Sequence, residues 1–161
     1  MNKEIKEMTI TQISVYMENK PGKLAKIVSE LSKAGINIRA MSLADTSDFG
    51  LVRLIVSDLN KARDILQEMT LVFCNKVLAV EMDDRSGALS VILNALNEGD
   101  VNVEYMYAFV GKQPYSAYAV MQVDDMEKAE RILENRKIRM LCEEDLINYT
   151  ISDYEYLGFD N

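Results

Sequence analysis

Hydrophobic and polar residues change their spacing repeatedly along the chain, and each change predicts the start of another element. Alternation at Ile13, Val15 and Met17 predicts a strand over residues 11–17, and a helical spacing then predicts a helix over residues 23–33. The same patterns, with turn residues at 45–48, then predict strand, strand, helix and strand at residues 36–44, 51–57, 60–69 and 71–74.

This succession of elements occurs twice. Adding 65 to the position of Gly22 gives Gly87, and the same shift takes Asn37 to Asn102. A shift that holds through strand, turn, helix and next strand indicates a tandem duplication. The second copy then has predicted strands at 77–82, 101–110, 117–123 and 138–142, and predicted helices at 88–98 and 126–134. We expect domains at residues 8–75 and 76–145, followed by a C-terminal tail at residues 146–161.

Two helices for every four strands predict an α+β fold class. The expected architecture is two ferredoxin-like βαββαβ domains side by side, with helices on one face of the sheet and a parallel pair of strands at its centre. Met41, Leu43 and Met106 would then be apolar on the face that the helices leave open. Because an apolar sheet face usually packs on something, we expect contact with another sheet or subunit; scattered surface methionines are the alternative.

The second strand of the second copy carries three aromatic residues on one side. Tyr105, Tyr107 and Phe109 have the same parity as Val101 and Val103, so we expect them to pack beneath the helices. The alternative is that one of them lines a ligand site, which would favour an aromatic or other planar ligand.

Composition narrows the function classes. Apolar residues make up 48% of the chain, enough for a packed core, and the net charge of −8 argues against a nucleic-acid partner. Since no uncharged apolar run approaches the roughly 18 residues of a membrane span, and the N-terminus lacks the apolar core of a signal peptide, we expect no membrane association and a cytoplasmic location.

The chain has no histidine, the commonest general base and zinc ligand. We therefore predict no catalytic site, no metal site and no cofactor, and expect Cys74 and Cys142 to be small buried apolar side chains.

Several acidic groups stand near turns and predicted helix starts. Asp83-Asp84, Asp124-Asp125 and Glu143-Glu144-Asp145 could be imagined as a metal site. Their positions favour exposed helix caps instead.

In each copy a corner joins the first strand to the first helix. The first corner, residues 19–24, reads Asn19-Lys20-Pro21-Gly22-Lys23-Leu24, and the second corner, residues 84–89, reads Asp84-Arg85-Ser86-Gly87-Ala88-Leu89. Glycine lets another group approach the backbone, and the first N–H groups of a helix lack intrahelical partners and carry the positive end of its dipole. Such a corner can receive a small carboxylate or phosphate, although many strand-to-helix turns bind nothing.

These corners, together with the residues that start the next strand, resemble the ACT domain, a regulatory amino-acid-binding module. The strand starts read Gly35-Ile36-Asn37-Ile38 in the first copy and Asp100-Val101-Asn102-Val103 in the second. The resemblance extends to about residue 145 and implies a stand-alone tandem-ACT protein without a catalytic domain.

The resemblance also implies where a ligand would lie. An amino acid would sit between the corner of one domain and the second strand of its neighbour, with its carboxylate on backbone N–H groups and its ammonium on Asn19 or Asp84. The implied ligand-binding residues are those of both corners, with Asn37 and Ile38 in one copy and Asn102 and Val103 in the other. Lys20 or Arg85 would help to hold the carboxylate, or would remain solvated charges at the rim.

We therefore expect a regulatory protein that binds a free amino acid and is not an enzyme. The expected assembly is a homodimer, with an unidentified metabolic enzyme as a further partner. The alternative function is a ligand-free oligomerisation module that holds or regulates such an enzyme.

Overall fold

The elements follow the predicted order closely. The computed structural model describes residues 7–45, 49–110 and 115–147. The elements are β1 (Ile10–Glu18), α1 (Lys23–Lys33), β2 (Ile38–Asp45), β3 (Phe49–Val56), α2 (Leu59–Gln67), β4 (Val72–Asp83), α3 (Ala88–Glu98), β5 (Val103–Val110), β6 (Ser116–Val123), α4 (Met126–Asn135) and α5 (Glu143–Ile147). Residues 46–48 of the turn predicted at 45–48, and residues 148–161 of the tail predicted at 146–161, lie outside the described residues. Residues 146 and 147 belong to α5. Within those described ranges, no helix has both the length and the apolar character needed to cross a membrane.

The second helix of each copy begins in the same way. The side chain of Asp58 accepts a hydrogen bond from the Lys61 N–H at 3.0 Å, and that of Asp125 accepts one from the Lys128 N–H at 2.9 Å. These side chains satisfy helix N–H groups that have no intrahelical partner. Both lysine side chains then donate to backbone carbonyls just beyond the first helix of their copy. The predicted role of Asp125 as a helix cap is confirmed.

The strands form one sheet in the order β2-β3-β1-β4-β6-β5, and each neighbouring pair is antiparallel. The predicted parallel pair at the centre is therefore wrong. Helix α1 does return the chain so that β2 runs in the same direction as β1, but β3 lies between them and pairs with both.

Strand β4 belongs to both halves of the sheet. Its 12 residues replace the two separate strands predicted at 71–74 and 77–82. Pairing with β1 extends to Val77, opposite Ile10, and pairing with β6 begins at Leu78, opposite Met121. The predicted domain boundary at residues 75 and 76 falls inside this strand and stays a prediction. The last predicted strand, 138–142, is reduced to a bridge between Met140 and Val80.

Each half of the sheet has its own core beneath its helices. The first core includes Ile13, Leu31 and Leu54, and the second includes Val80, Leu96 and Met121. Helices thus cover one face of the sheet in both halves, as predicted, because α1 and α3 are apolar on the side that faces the strands.

The opposite, helix-free face of the sheet is curled inward. Strands β2 and β5, at the two ends of the strand order, contact each other. Ile10, Ile55, Val77 and Val120 are buried in a third cluster on this face, to which both halves contribute. The face that we expected to be covered is therefore covered by the other half of the same sheet.

Two β-bulges decide which side chains face inward. One lies between Ile38 and Ala40, and the other lies between Val103 and Tyr105. A bulge adds one residue to a strand and so moves all later side chains to the opposite face. Our assignments beyond each bulge were therefore wrong. Met41, Leu43 and Met106 lie on the helix side, opposite Leu54, Val52 and Met121, whereas Tyr105, Tyr107 and Phe109 lie on the helix-free face.

The two cysteines differ in exposure. Cys142 is buried, as predicted, but Cys74 is exposed, so the prediction for Cys74 is wrong. Cys74 lies in the half of β4 that pairs with β1. The residue as a whole is exposed, but partial burial still raises the pKa of the Cys74 thiol.

Candidate functional site

The two corners have the same backbone geometry. Gly22 precedes α1 with φ 84°, and Gly87 precedes α3 with φ 88°, both in the left-handed region. An L-residue there costs about 1–2 kcal/mol, so the glycines are needed for conformation. Neither helix has a side-chain cap, and in the described part of the chain the N–H groups of Leu24 and Leu89 have no acceptor. Both corners therefore offer the bare helix N–H groups that the sequence predicted.

Charges at the first corner are already paired. The carboxylate of Glu18 forms ion pairs with Lys20 Nζ, 3.3 Å from Oε1, and with Lys23 Nζ, 3.0 Å from Oε2. Hydrogen bonds from Lys23 and Lys20 hold the pKa of Glu18 below its usual range. A ligand carboxylate at this corner would compete with the protein's own carboxylate, so Lys20 is not a ready partner for it.

A cavity of about 380 Å³ lies beside the second corner. Strand β4, helix α3, the first residue of β6 and the segment before Met140 surround it. Of the predicted site residues, Arg85 and Ala88 line it. The remaining lining residues are Glu81, Met82, Asp83, Val91, Ile92, Ser116, Lys137, Ile138 and Arg139.

The cavity contains charges of both signs. Arg85 Nε lies 2.9 Å from Asp83 Oδ2, and an Arg139 guanidinium nitrogen lies 2.8 Å from Glu81 Oε2. The negative charge of Glu81 raises the pKa of Arg139. Lys137 lines the same cavity and, among the residues that the structure describes, has no ion-pair partner. The lining thus holds three cations and two carboxylates beside the positive end of a helix, and a third carboxylate, Asp145, lies outside the lining at 3.9 Å from Arg139.

The strand-start residues lie elsewhere. Asn37 and Ile38 line a shallow depression of about 460 Å³ together with Val28, Ser32, Gly35 and Ile36. The N–H of Asn37 donates to Ser57 Oγ at 2.9 Å, and the N–H of Asn102 donates to Asp124 Oδ1 at 2.9 Å. The backbone donors at these positions are therefore satisfied within the protein, and the two asparagine side chains are exposed.

Comparisons with known proteins identify the family. A family model described as an ACT domain pair matches residues 8–150. The chain belongs to the ACT domain pair family. The structure of protein BT0572 from Bacteroides thetaiotaomicron is 33% identical over 88% of this chain and 97% of that chain, with a TM-score of 0.82.

More distant structures share the ACT fold. The regulatory subunit of aspartate kinase from Thermus thermophilus is 16% identical over 79% of this chain and 90% of its own, with a TM-score of 0.55. The regulatory subunit of aspartate kinase from Thermus flavus is 15% identical over 78% of this chain and 90% of its own, also with a TM-score of 0.55. A search of curated proteins gives no significant match.

Within each ACT copy the corner and the strand start lie at opposite ends of the sheet. In the first copy Glu18 pairs with Phe49, whereas Ile38 pairs with Val56. Those two positions on β3 are seven residues apart, about 24 Å along an antiparallel strand. The second copy repeats this arrangement, so a single chain does not bring a corner and the strand start of the same copy together.

The residues opposite the second corner could not be identified directly from the sequence. Lys137 and Arg139 are about 50 residues beyond Gly87 and belong to no motif. The signal was in the topology, because the last strand of a βαββαβ unit lies beside its first. In this ACT pair, the hydrogen bond from the Glu81 N–H to the Arg139 carbonyl, at 2.8 Å, carries out that pairing.

Proposed function

We propose that this ACT domain pair is a regulatory protein that binds a free amino acid at the second corner. The supporting observation is the cavity beside the start of α3, which is lined by two carboxylates and by Lys137, a lysine that has no ion-pair partner among the described residues. The mixture of charges suits a zwitterion better than a simple anion or cation.

Each end of the ligand has a partner of opposite charge. The ligand carboxylate lies against the N–H groups that start α3 and against Lys137, and the ammonium competes with Arg85 for Asp83 or with Arg139 for Glu81. These two carboxylates take the role that the resemblance gave to Asp84, which is not one of the residues lining the cavity. Hydrogen bonds to charged groups contribute about 1.5–3 kcal/mol each, so two or three of them suit micromolar to millimolar affinity once the cost of immobilising the ligand is subtracted.

The walls of the cavity favour an apolar ligand side chain. Met82, Ile92 and Ile138 are aliphatic and wholly or partly buried. Burying a ligand methylene against such surface contributes about 0.8 kcal/mol. We therefore expect amino acids with aliphatic side chains to bind more tightly than acidic or basic ones.

We further propose that a homodimer completes the site. The depression at residues 35–38 of the partner chain would lie against the second corner and close the cavity from the open side. Ligand binding would then favour one arrangement of the two copies, by no more than the difference in ligand affinity between the arrangements. A metabolic enzyme would sense that arrangement.

The test is calorimetric titration of the purified protein with each of the twenty amino acids. At least one is expected to bind and to raise the melting temperature. Replacement of Lys137 by methionine should weaken that binding about tenfold, the effect of losing one charged hydrogen bond. Arg131→Met, which replaces another exposed cation, on α4, is the matched control and should bind normally. Twenty heatless titrations with unchanged melting temperatures would end the proposal.

The second candidate is a ligand-free assembly module, and exposed apolar residues beside the first corner favour it. Phe49 and Leu71 are 57% and 59% exposed, and Leu43 is 51% exposed. Light scattering separates the two functions. An assembly module forms the same oligomer with and without amino acids, whereas the regulatory protein changes its size or its melting temperature when the ligand is added.

A further inference from the structure

A second cavity, of about 280 Å³, opens on the curled, helix-free face, away from both corners. Strands of both halves line it: Arg53 comes from β3, whereas Glu104, Tyr105 and Gln122 come from β5 and β6. We call it the junction cleft. Its volume lies just below the roughly 300–1,000 Å³ of ordinary small-molecule pockets, which suits a ligand of amino-acid size.

Arg53 is the cation of the junction cleft. Its guanidinium carbon lies 3.8 Å from the centroid of the Tyr105 ring, so the guanidinium stacks on the ring. Stacking leaves the N–H edge of the group free to bind a planar anion with two hydrogen bonds. In the chain as described, Arg53 has no carboxylate partner.

Glu104 supplies the opposite charge. It is exposed, lines the same cleft as Arg53, and forms no ion pair with it or with any other described cation. A guanidinium and a carboxylate that line one small cleft without forming an ion pair leave room for a molecule that carries both charges.

The polar floor of the cleft is held rigidly. The side chain of Asn75 donates to Gln122 Oε1 at 2.8 Å and to the Tyr105 hydroxyl at 3.2 Å. Gln12, fully buried behind them, donates to the same hydroxyl at 2.8 Å. Groups whose rotamers are fixed by such contacts lose little entropy when a ligand binds.

The wall of the cleft is aromatic. Tyr16 and Phe73 pack edge to face, with ring centroids 5.8 Å apart and an interplanar angle of 81°. They are 41% and 52% exposed, so their outer surfaces are open to a further ring. Aromatic rings favour such edge-to-face and offset contacts with one another.

We propose that the junction cleft is a second ligand site, specific for an aromatic α-amino acid, whose carboxylate binds Arg53 and whose ammonium binds Glu104. The site is independent of the second corner and lies where the two halves of the sheet meet. A ligand there would bridge the two ACT copies of one chain.

The probe for this site is L-phenylalanine, titrated calorimetrically against the intact chain. Arg53→Gln and Glu104→Gln should each weaken its binding about tenfold or more. Arg63→Gln, a change of the same kind outside the cleft, and Lys137→Met, at the second corner, should leave it unchanged. Phenylacetate and phenethylamine, each with one of the two charges, should bind at least tenfold more weakly than phenylalanine.

Three results would overturn the proposal. The first is the absence of phenylalanine binding to the native chain. The second is binding that survives both Arg53→Gln and Glu104→Gln, or that Lys137→Met abolishes. The third is a dimer that forms without ligand and that Phe73→Ser dissociates, because a second chain would then occupy the cleft. The exposed Glu104→Gln variant keeps the test valid if Arg53→Gln, which loses its stacking on Tyr105, fails to fold.

Discussion

Replacing Gln12 by leucine is expected to lower the free energy of unfolding by about 2–5 kcal/mol. The side chain of Gln12 is fully buried, accepts a hydrogen bond from the Tyr107 hydroxyl at 2.9 Å and donates one to the Tyr105 hydroxyl at 2.8 Å. Leucine fills similar space but leaves these hydroxyls and Asn75 short of partners, and each buried unsatisfied group costs about 1–3 kcal/mol. Burial raises the pKa of Tyr107, so its hydroxyl keeps the proton that it donates.

Urea denaturation measures the effect, and Gln67→Leu, at an exposed position on α2, is the matched control. The comparison tests the curled sheet directly, because Gln12 lies in the first half and both tyrosines lie in the second. If Gln12→Leu were no more destabilising than Gln67→Leu, the two helix-free faces would not be packed together as described.

Leu31→Ala and Leu96→Ala are expected to destabilise the protein by about 2–5 kcal/mol each, because both remove a fully buried side chain and leave a cavity. The two residues occupy equivalent positions in α1 and α3. Since β4 belongs to both halves, we expect each variant to shift one cooperative unfolding transition of the whole chain.

Differential scanning calorimetry separates this result from its opposite. Leu71→Ala, which removes the same atoms from an exposed position, should change the melting temperature little. Two transitions, of which Leu31→Ala shifts one and Leu96→Ala the other, would mean that the halves unfold independently and that the shared strand does not couple them.

The helices and their corners were predictable from the sequence because their causes are local. Glycine at the corner, an apolar stripe at helical spacing and a capping aspartate each lie within a few residues of the helix that they start. The predicted bounds 23–33 and 88–98 therefore agree with α1 and α3.

The continuous β4 was not predictable in the same way. Asn75 and Lys76 interrupt the apolar pattern, and the sequence therefore indicated a seam between two domains. A polar residue is tolerated inside the strand because Asn75 hydrogen-bonds to Gln12, which lies opposite it on β1, and to Gln122 on β6. Those partners are 63 and 47 residues away, so no local pattern reveals them.

The two β-bulges also made the faces of later side chains unpredictable from the sequence. Alternation predicts the face of a side chain only while each residue of one strand opposes one residue of its neighbour. The bulge before Tyr105 reverses that face, and it moves an aromatic ring from the expected helix core into the junction cleft. The sequence therefore identified the corners correctly but not the cations and aromatic rings that the tertiary fold places beside each cavity.

Backbone amide resonances at the second corner test the central claim most directly. Isotope-labelled protein is titrated with each amino acid while the N–H signals of Gly87, Leu89 and Ser90 are followed by NMR. We expect at least one amino acid to move these signals in a saturable way, and Lys137→Met to raise the concentration needed about tenfold. If none of the twenty moves them at millimolar concentration, the second corner is not an amino-acid site.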